Sequence, residues 1–169
     1  MRTAVWRGTC DTRAMWIVTP RDVGRVEFGR MMRDGVIATV IPGHATPADV
    51  PASPPIRRHV LGTMTPAGGQ VTGLAALWAL GAGPPPTEMH VRYDPRRRLG
   101  TRRGPLPMIG HAVGLAAPAD LDGRLHPSIA CPAVAVADAL RWAPASLAAP
   151  VIADAVRLGL VEPGAVEAA

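Results

Sequence analysis

The chain has 169 residues, of which 48% are apolar but only 4% aromatic, so its core must be built from Ala, Val, Leu, Ile and Met. All 18 basic residues are arginine, which excludes the standard phosphate-loop lysine, Schiff-base chemistry on lysine and the usual carboxylate–lysine nuclease site. The net charge of +5 is uneven: residues 1–103 carry fifteen arginines against seven acids, and residues 104–169 three against six, as expected of a polyanion-facing half and a structural or partner-facing half.

Residues 1–15 are mixed and predict a poorly ordered arm. Thr19-Pro20 reads as an N-cap followed by proline in the first helical position. A short helix follows over Arg25–Arg33, with Phe28, Met31 and Met32 on one side and Val26, Arg30 and Arg33 on the other. Asp34-Gly35 stops it. The β-branched run Val36–Ile41 predicts a strand, turned by Pro42-Gly43. Pro47, Pro51, Pro54 and Pro55 mark residues 45–55 as a linker and divide the chain into a unit of residues 1–50 and one of 51–169.

A helix is expected over Ile56–Met64, then a short strand at Gln70-Val71, with Thr72 capping a helix that runs to Leu80. Glu88–Tyr93 alternates as a strand does, and Met108–Val113 predicts another. Asp120 and Asp122 are read as exposed acids in a polar loop rather than a Mg²⁺ pair, because no glycine-rich nucleotide loop accompanies them. The C-terminal third is expected to be two helices. Val134, Ala137 and Leu140 form the inward face of the first, and Leu147, Val151, Ala155 and Leu158 that of the second. Asp138 and Asp154 are placed on the solvent side, and Gly159 ends the second helix. The fold class expected is α+β: a small winged-helix-like N-terminal unit followed by a mixed α/β unit ending in a helix pair.

Candidate chemistry is sparse. Cys10 and Cys131 lack metal-ligand spacing, and His44, His59, His90, His111 and His126 are scattered singly, so neither a cofactor nor a metal is expected. Ser53, Ser128 and Ser146 lie outside any G-x-S-x-G elbow, and no enzyme activity is expected. No apolar run is long enough to span a membrane, and Met1–Arg13 lacks the apolar stretch of a signal peptide, which predicts a cytoplasmic protein. Arginines supply the candidate nucleic-acid contacts. Arg30 and Arg33, with Arg25 as a weaker member, sit on the first helix; Arg57 and Arg58 open a later helix, where positive charge opposes the macrodipole unless an anion is bound. Arg96, Arg97, Arg98, Arg102 and Arg103 crowd five guanidinium groups into eight residues. Solvated surface arginines are the plain alternative for each of these.

The order of four segments resembles the AbiEi family of type IV toxin–antitoxin antitoxins, particularly its short actinobacterial members. They are Arg33–Ile37 followed by Pro42–Ala45; Val71–Gly81; Glu88–Tyr93 followed by Arg96–Arg98; and Cys131–Leu140 followed by Asp154–Leu160. The resemblance implies a winged helix that binds double-stranded DNA at an operator of its own operon. It also implies antagonism of a nucleotidyltransferase-type toxin, with or without a stable complex. Three features depart from the family pattern. The stretch Thr19–Gly35 is short for two full helices, the turn has Ile41, Pro42 and Ala45 in place of basic residues and tyrosine, and Val134-Ala135 replaces an Arg-Thr pair. The non-basic turn motivates the other reading, a protein-interaction module with a degenerate winged helix that binds an acidic partner and not DNA.

Overall fold

The computed structural model describes residues 17–97, 99–100, 104–121 and 124–164, with backbone alone for 118–121 and 124–127. It is an α+β fold whose described residues form a two-stranded sheet, a five-stranded sheet and six helices.

Helix α1 (Pro20–Val23) is a single turn. Thr19 and Asp22 cap it reciprocally: Thr19 N and Oγ1 each donate to Asp22 Oδ2 at 2.8 Å, and Arg21 N donates to Thr19 Oγ1 at 3.3 Å. Gly24, at φ +85°, breaks the chain direction in a conformation other residues rarely adopt, and α2 (Arg25–Arg33) starts immediately after it. Strands β1 (Ile37–Ile41) and β2 (His44–Pro47) then form an antiparallel hairpin about Pro42-Gly43, and Val18 bridges to Ala45 on its edge. Three residues assigned above to the linker, Ala45 to Pro47, thus belong to β2. Ile37, Val40, Ile41 and Ala45 are buried, and Val40 and Ile41 enter the same hydrophobic cluster as Ile56, Val60 and Leu61 of α3 (Pro54–Met64).

The five-stranded sheet has the order β5-β4-β3-β7-β6. Its strands are β3 (Gly69–Thr72), β4 (Met89–Tyr93), β5 (Met108–His111), β6 (Pro118–Leu121) and β7 (Arg124–Ala130). β3 is antiparallel to β4 and parallel to β7, β4 is parallel to β5, and β6–β7 is a hairpin. Helix α4 (Gly73–Ala79) leaves β3 without a connecting loop, which the left-handed φ of +61° at Gly73 permits. Its sequence carries no charge, and Trp78, Leu77 and four small residues are buried. Helices α5 (Pro132–Trp142) and α6 (Ala145–Arg157) pack against α4, and α5 also against β3.

Four expectations are corrected. The acids at 120 and 122 were placed in a loop preceding helices, but the β6–β7 hairpin precedes α5 instead, with residue 122 outside the described residues. α5 buries Ala135, Val136, Asp138 and Ala139, while Leu140 is exposed; α6 buries Ala148, Val151, Ile152 and Ala155, while Leu147 and Leu158 are exposed. The α5 face is thus a different one from that expected, whereas in α6 Val151 and Ala155 are buried as expected and only Leu147 and Leu158 are not. Small alanines face inward in both helices because each must approach α4 closely. Thr72 occupies the N-cap position of α4 but makes no cap bond; its hydroxyl donates to Asp138 Oδ2 at 2.6 Å.

Asp138 itself is not on the solvent side. It is 5% exposed, and Arg92 Nη1 donates to its two oxygens at 2.9 and 2.8 Å. Arg92 Nε is bound by the Gly114 carbonyl at 3.1 Å. The pair is satisfied on both sides, which a buried charge requires. Asp154 accepts from Gly83 N at 2.8 Å and also pairs with Arg157, and these donors hold its carboxyl below the usual carboxylate range.

Candidate nucleic-acid interface

Helix α2 rests on half-buried Phe28, Met31 and Met32 and has no fully buried residue. Its other face is Val26, 87% exposed, with Arg30 and Arg33, both exposed, one and two turns along. Arg30 Nη2 donates to Glu27 Oε1 at 2.8 Å, which raises the guanidinium pKa. An exposed pair of this kind contributes little and yields readily to a phosphate. The hairpin follows α2 directly, so its turn and the helix lie in one N-terminal segment, held together by the Val18–Ala45 bridge and by α2 contacts with β1.

A cleft of about 980 Å³ opens between this segment and α3, lined by Arg21, Arg25, His44, His59, Thr63 and Pro105 among others. Arg25, the weakest of the three helix candidates, therefore faces the cleft. Arg21, His44 and His59 are the residues that sequence reasoning missed. Arg21 had a legible signal, its place just after a proline-started helix; the two histidines, fifteen positions apart, had none. Burial pushes the His44 pKa below the ordinary histidine value, and the bond to the Pro42 carbonyl and the charge of Asp22 only partly oppose this. The hairpin turn is accordingly uncharged at neutral pH, in keeping with its non-basic sequence.

The remaining arginines are divided. Arg57 is turned inward: Nε donates to the Ala52 carbonyl at 2.7 Å, Nη1 to the Trp78 carbonyl at 3.1 Å, and its carbon lies 5.2 Å from the Trp78 ring centre. Arg57, expected as an anion contact, thus has backbone carbonyls as acceptors at its helix start. Desolvation lowers its pKa accordingly. Arg58 is half-buried. Arg96 and Arg97 are exposed on a turn that Asp94 organises, its side chain accepting from Arg96 N and its carbonyl from Arg97 N, both at 2.9 Å. Arg98, Arg102 and Arg103 lie outside the described residues.

No family model, curated protein or solved structure matches the chain. The geometry therefore stands on its own. It brings Arg30 and Arg33 onto one outward helix face, puts Arg25 beside them at the cleft, presents Arg96 and Arg97 on a separate turn, and withdraws Arg57. Among the described residues no three His, Cys, Asp or Glu side chains converge as a metal site, and no helix is long and apolar enough to cross a membrane.

Proposed function

We propose that this chain is a DNA-binding regulator of the AbiEi-like antitoxin kind, and that α2 with the β1–β2 hairpin is its reading head. The observation that carries the reading is the outward face of α2. A helix in which nothing is fully buried, with Val26 and two arginines in line and a hairpin directly after, suits entry into a major groove, where guanidinium groups meet guanine edges or phosphates and an apolar side chain meets a thymine methyl. Arg96 and Arg97 add backbone contacts from a second turn. The proposed toxin counterpart and the self-repression of an operon rest on the family resemblance alone.

Titration of the purified chain into labelled duplex from upstream of its own gene, against mixed-sequence competitor, tests this. Binding is expected to weaken with salt, with a slope of about −4.5 in log K against log salt for roughly five neutralised phosphates. Changing Arg30 and Arg33 together to alanine is expected to reduce affinity for the specific duplex by about tenfold or more while leaving the fold unchanged. Absence of binding even at low salt removes the proposal.

The exposure of Val23, Val26 and Val36 around the same helix, with an uncharged hairpin turn, favours a second reading in which this face binds an acidic protein. That reading requires a stable protein complex that survives when DNA binding is absent and is lost on changing Arg96 and Arg97.

A further inference from the structure

His90 and His111 sit on neighbouring strands of the larger sheet. His111 is opposite Arg92 in the β4–β5 register, so strand alternation puts it on the same face as His90 and Arg92. Two residues one turn apart on α5, Asp138 and Trp142, come down on that face. Asp138 takes Arg92, and Trp142 takes the histidines: the His111 ring lies 3.6 Å from the Trp142 ring, centre to centre, and within 2° of parallel.

The hydrogen bonds assign the protons. His90 Nε2 is 3.1 Å from Glu88 Oε1, and His90 Nδ1 is 3.1 Å from His111 Nε2. An ionised carboxylate only accepts, so His90 Nε2 carries a hydrogen and Nδ1 of the neutral ring is a bare acceptor. His111 Nε2–H must then be the donor between the rings. The ring centres are 5.1 Å apart with 27° between planes, and the 3.1 Å between the nitrogens is a hydrogen-bond distance.

We propose that this histidine pair is a proton-operated latch, which holds the C-terminal end of α5 on the β4–β5 edge through Trp142 and releases it when both imidazoles are protonated. One added proton is tolerated, because His111 can take it on its other nitrogen and still donate to His90. A second must go onto His90 Nδ1. That removes the acceptor and sets two cations face to face.

The surrounding charges set the direction. Glu88 from the segment before β4 and Asp138 from α5 favour protonation; Arg92 from β4 and Arg141 from α5 oppose it. For His111, burial dominates and lowers the pKa, the His90, Arg92 and Arg141 charges lower it further, and Asp138 opposes them. A group whose folded pKa is depressed contributes stability that is present above its unfolded pKa and lost as pH falls through the folded one. The hydrogen bond between the rings needs a bare nitrogen on His90, so the latch is closed at neutral pH, and acidification that puts a proton on both rings opens it. The Arg92–Asp138 pair, one turn away, keeps the rest of α5 in place.

The experiment is an NMR titration of the full chain between about pH 8 and pH 5, following the imidazole resonances and amide exchange at Leu140, Arg141 and Trp142. Two coupled titration steps are expected, the second of which leaves both rings protonated. Exchange at those amides, corrected for its intrinsic pH dependence, is expected to rise about tenfold across that step. His111→Phe keeps a flat ring against Trp142 without a proton site and should abolish the rise, whereas His44→Gln, which removes the other depressed histidine, should leave it. Two imidazoles titrating independently at the ordinary value, or a His111→Phe protein with an unchanged acid response, overturns the latch. Should His111→Phe not fold, the wild-type titration decides.

Discussion

The described arginines of the N-terminal segment all face outward, whereas those of the rest of the chain are divided between the surface and the interior. In the segment that ends with β2, all four arginines are exposed, on helices of one and about two and a half turns whose ends are set by a threonine–aspartate cap and by Gly24. Beyond it, Arg57 and Arg92 are drawn inward, each against a specific acceptor set: two carbonyls and an indole for the first, a carboxylate and carbonyls for the second. The inward pair joins elements distant in sequence, whereas among the described residues the one ion pair of the outward four, Arg30 with Glu27, lies within its own helix. An arginine free of structural duty is available to a ligand; one that ties a strand to a helix is not.

The sharpest way to break this comparison is at Asp138. Asp138→Ala strands the Arg92 guanidinium and is expected to cost about 3–5 kcal/mol, read from urea unfolding. A loss below about 1 kcal/mol would mean that water already replaces the carboxylate. Arg57→Ala comes next. Losing two charged hydrogen bonds to backbone and a ring contact is expected to cost about 2 kcal/mol without changing affinity for duplex DNA. A selective loss of DNA affinity with stability intact would return Arg57 to the interface. The smallest effect is expected at the N-terminal helix: Thr19→Ala removes the cap of α1 for about 1 kcal/mol, and as α1 turns the chain into α2 it should also weaken DNA binding. If binding is unchanged, α2 keeps its place without α1.

Local signals in the sequence were accurate where the structure is local. The cap at Thr19-Pro20, the span of α2 and its division into an apolar and an arginine side, the stop at Asp34-Gly35 and the turn at Pro42-Gly43 all rest on neighbours within a few residues. Of the candidate interface, Arg30 and Arg33 were legible for the same reason, since helical spacing alone puts them together. The inward contact of Arg57 was not legible because its acceptor at Trp78 depends on where α4 packs. The histidines were dismissed as scattered because His90 and His111 meet only through the parallel pairing of β4 and β5.

By itself, then, the chain determined its apolar, small-residue composition, its all-arginine cationic character and the helix–hairpin order of its N-terminal segment, since propensity, capping and turn chemistry act over a few residues. Only tertiary structure decided which face of α5 is buried, that Asp138 is buried against Arg92 and Thr72, and that two isolated histidines share a hydrogen bond. Those outcomes depend on strand order and on how closely a helix can approach α4, and contacts between residues dozens of positions apart leave no periodic trace in the sequence.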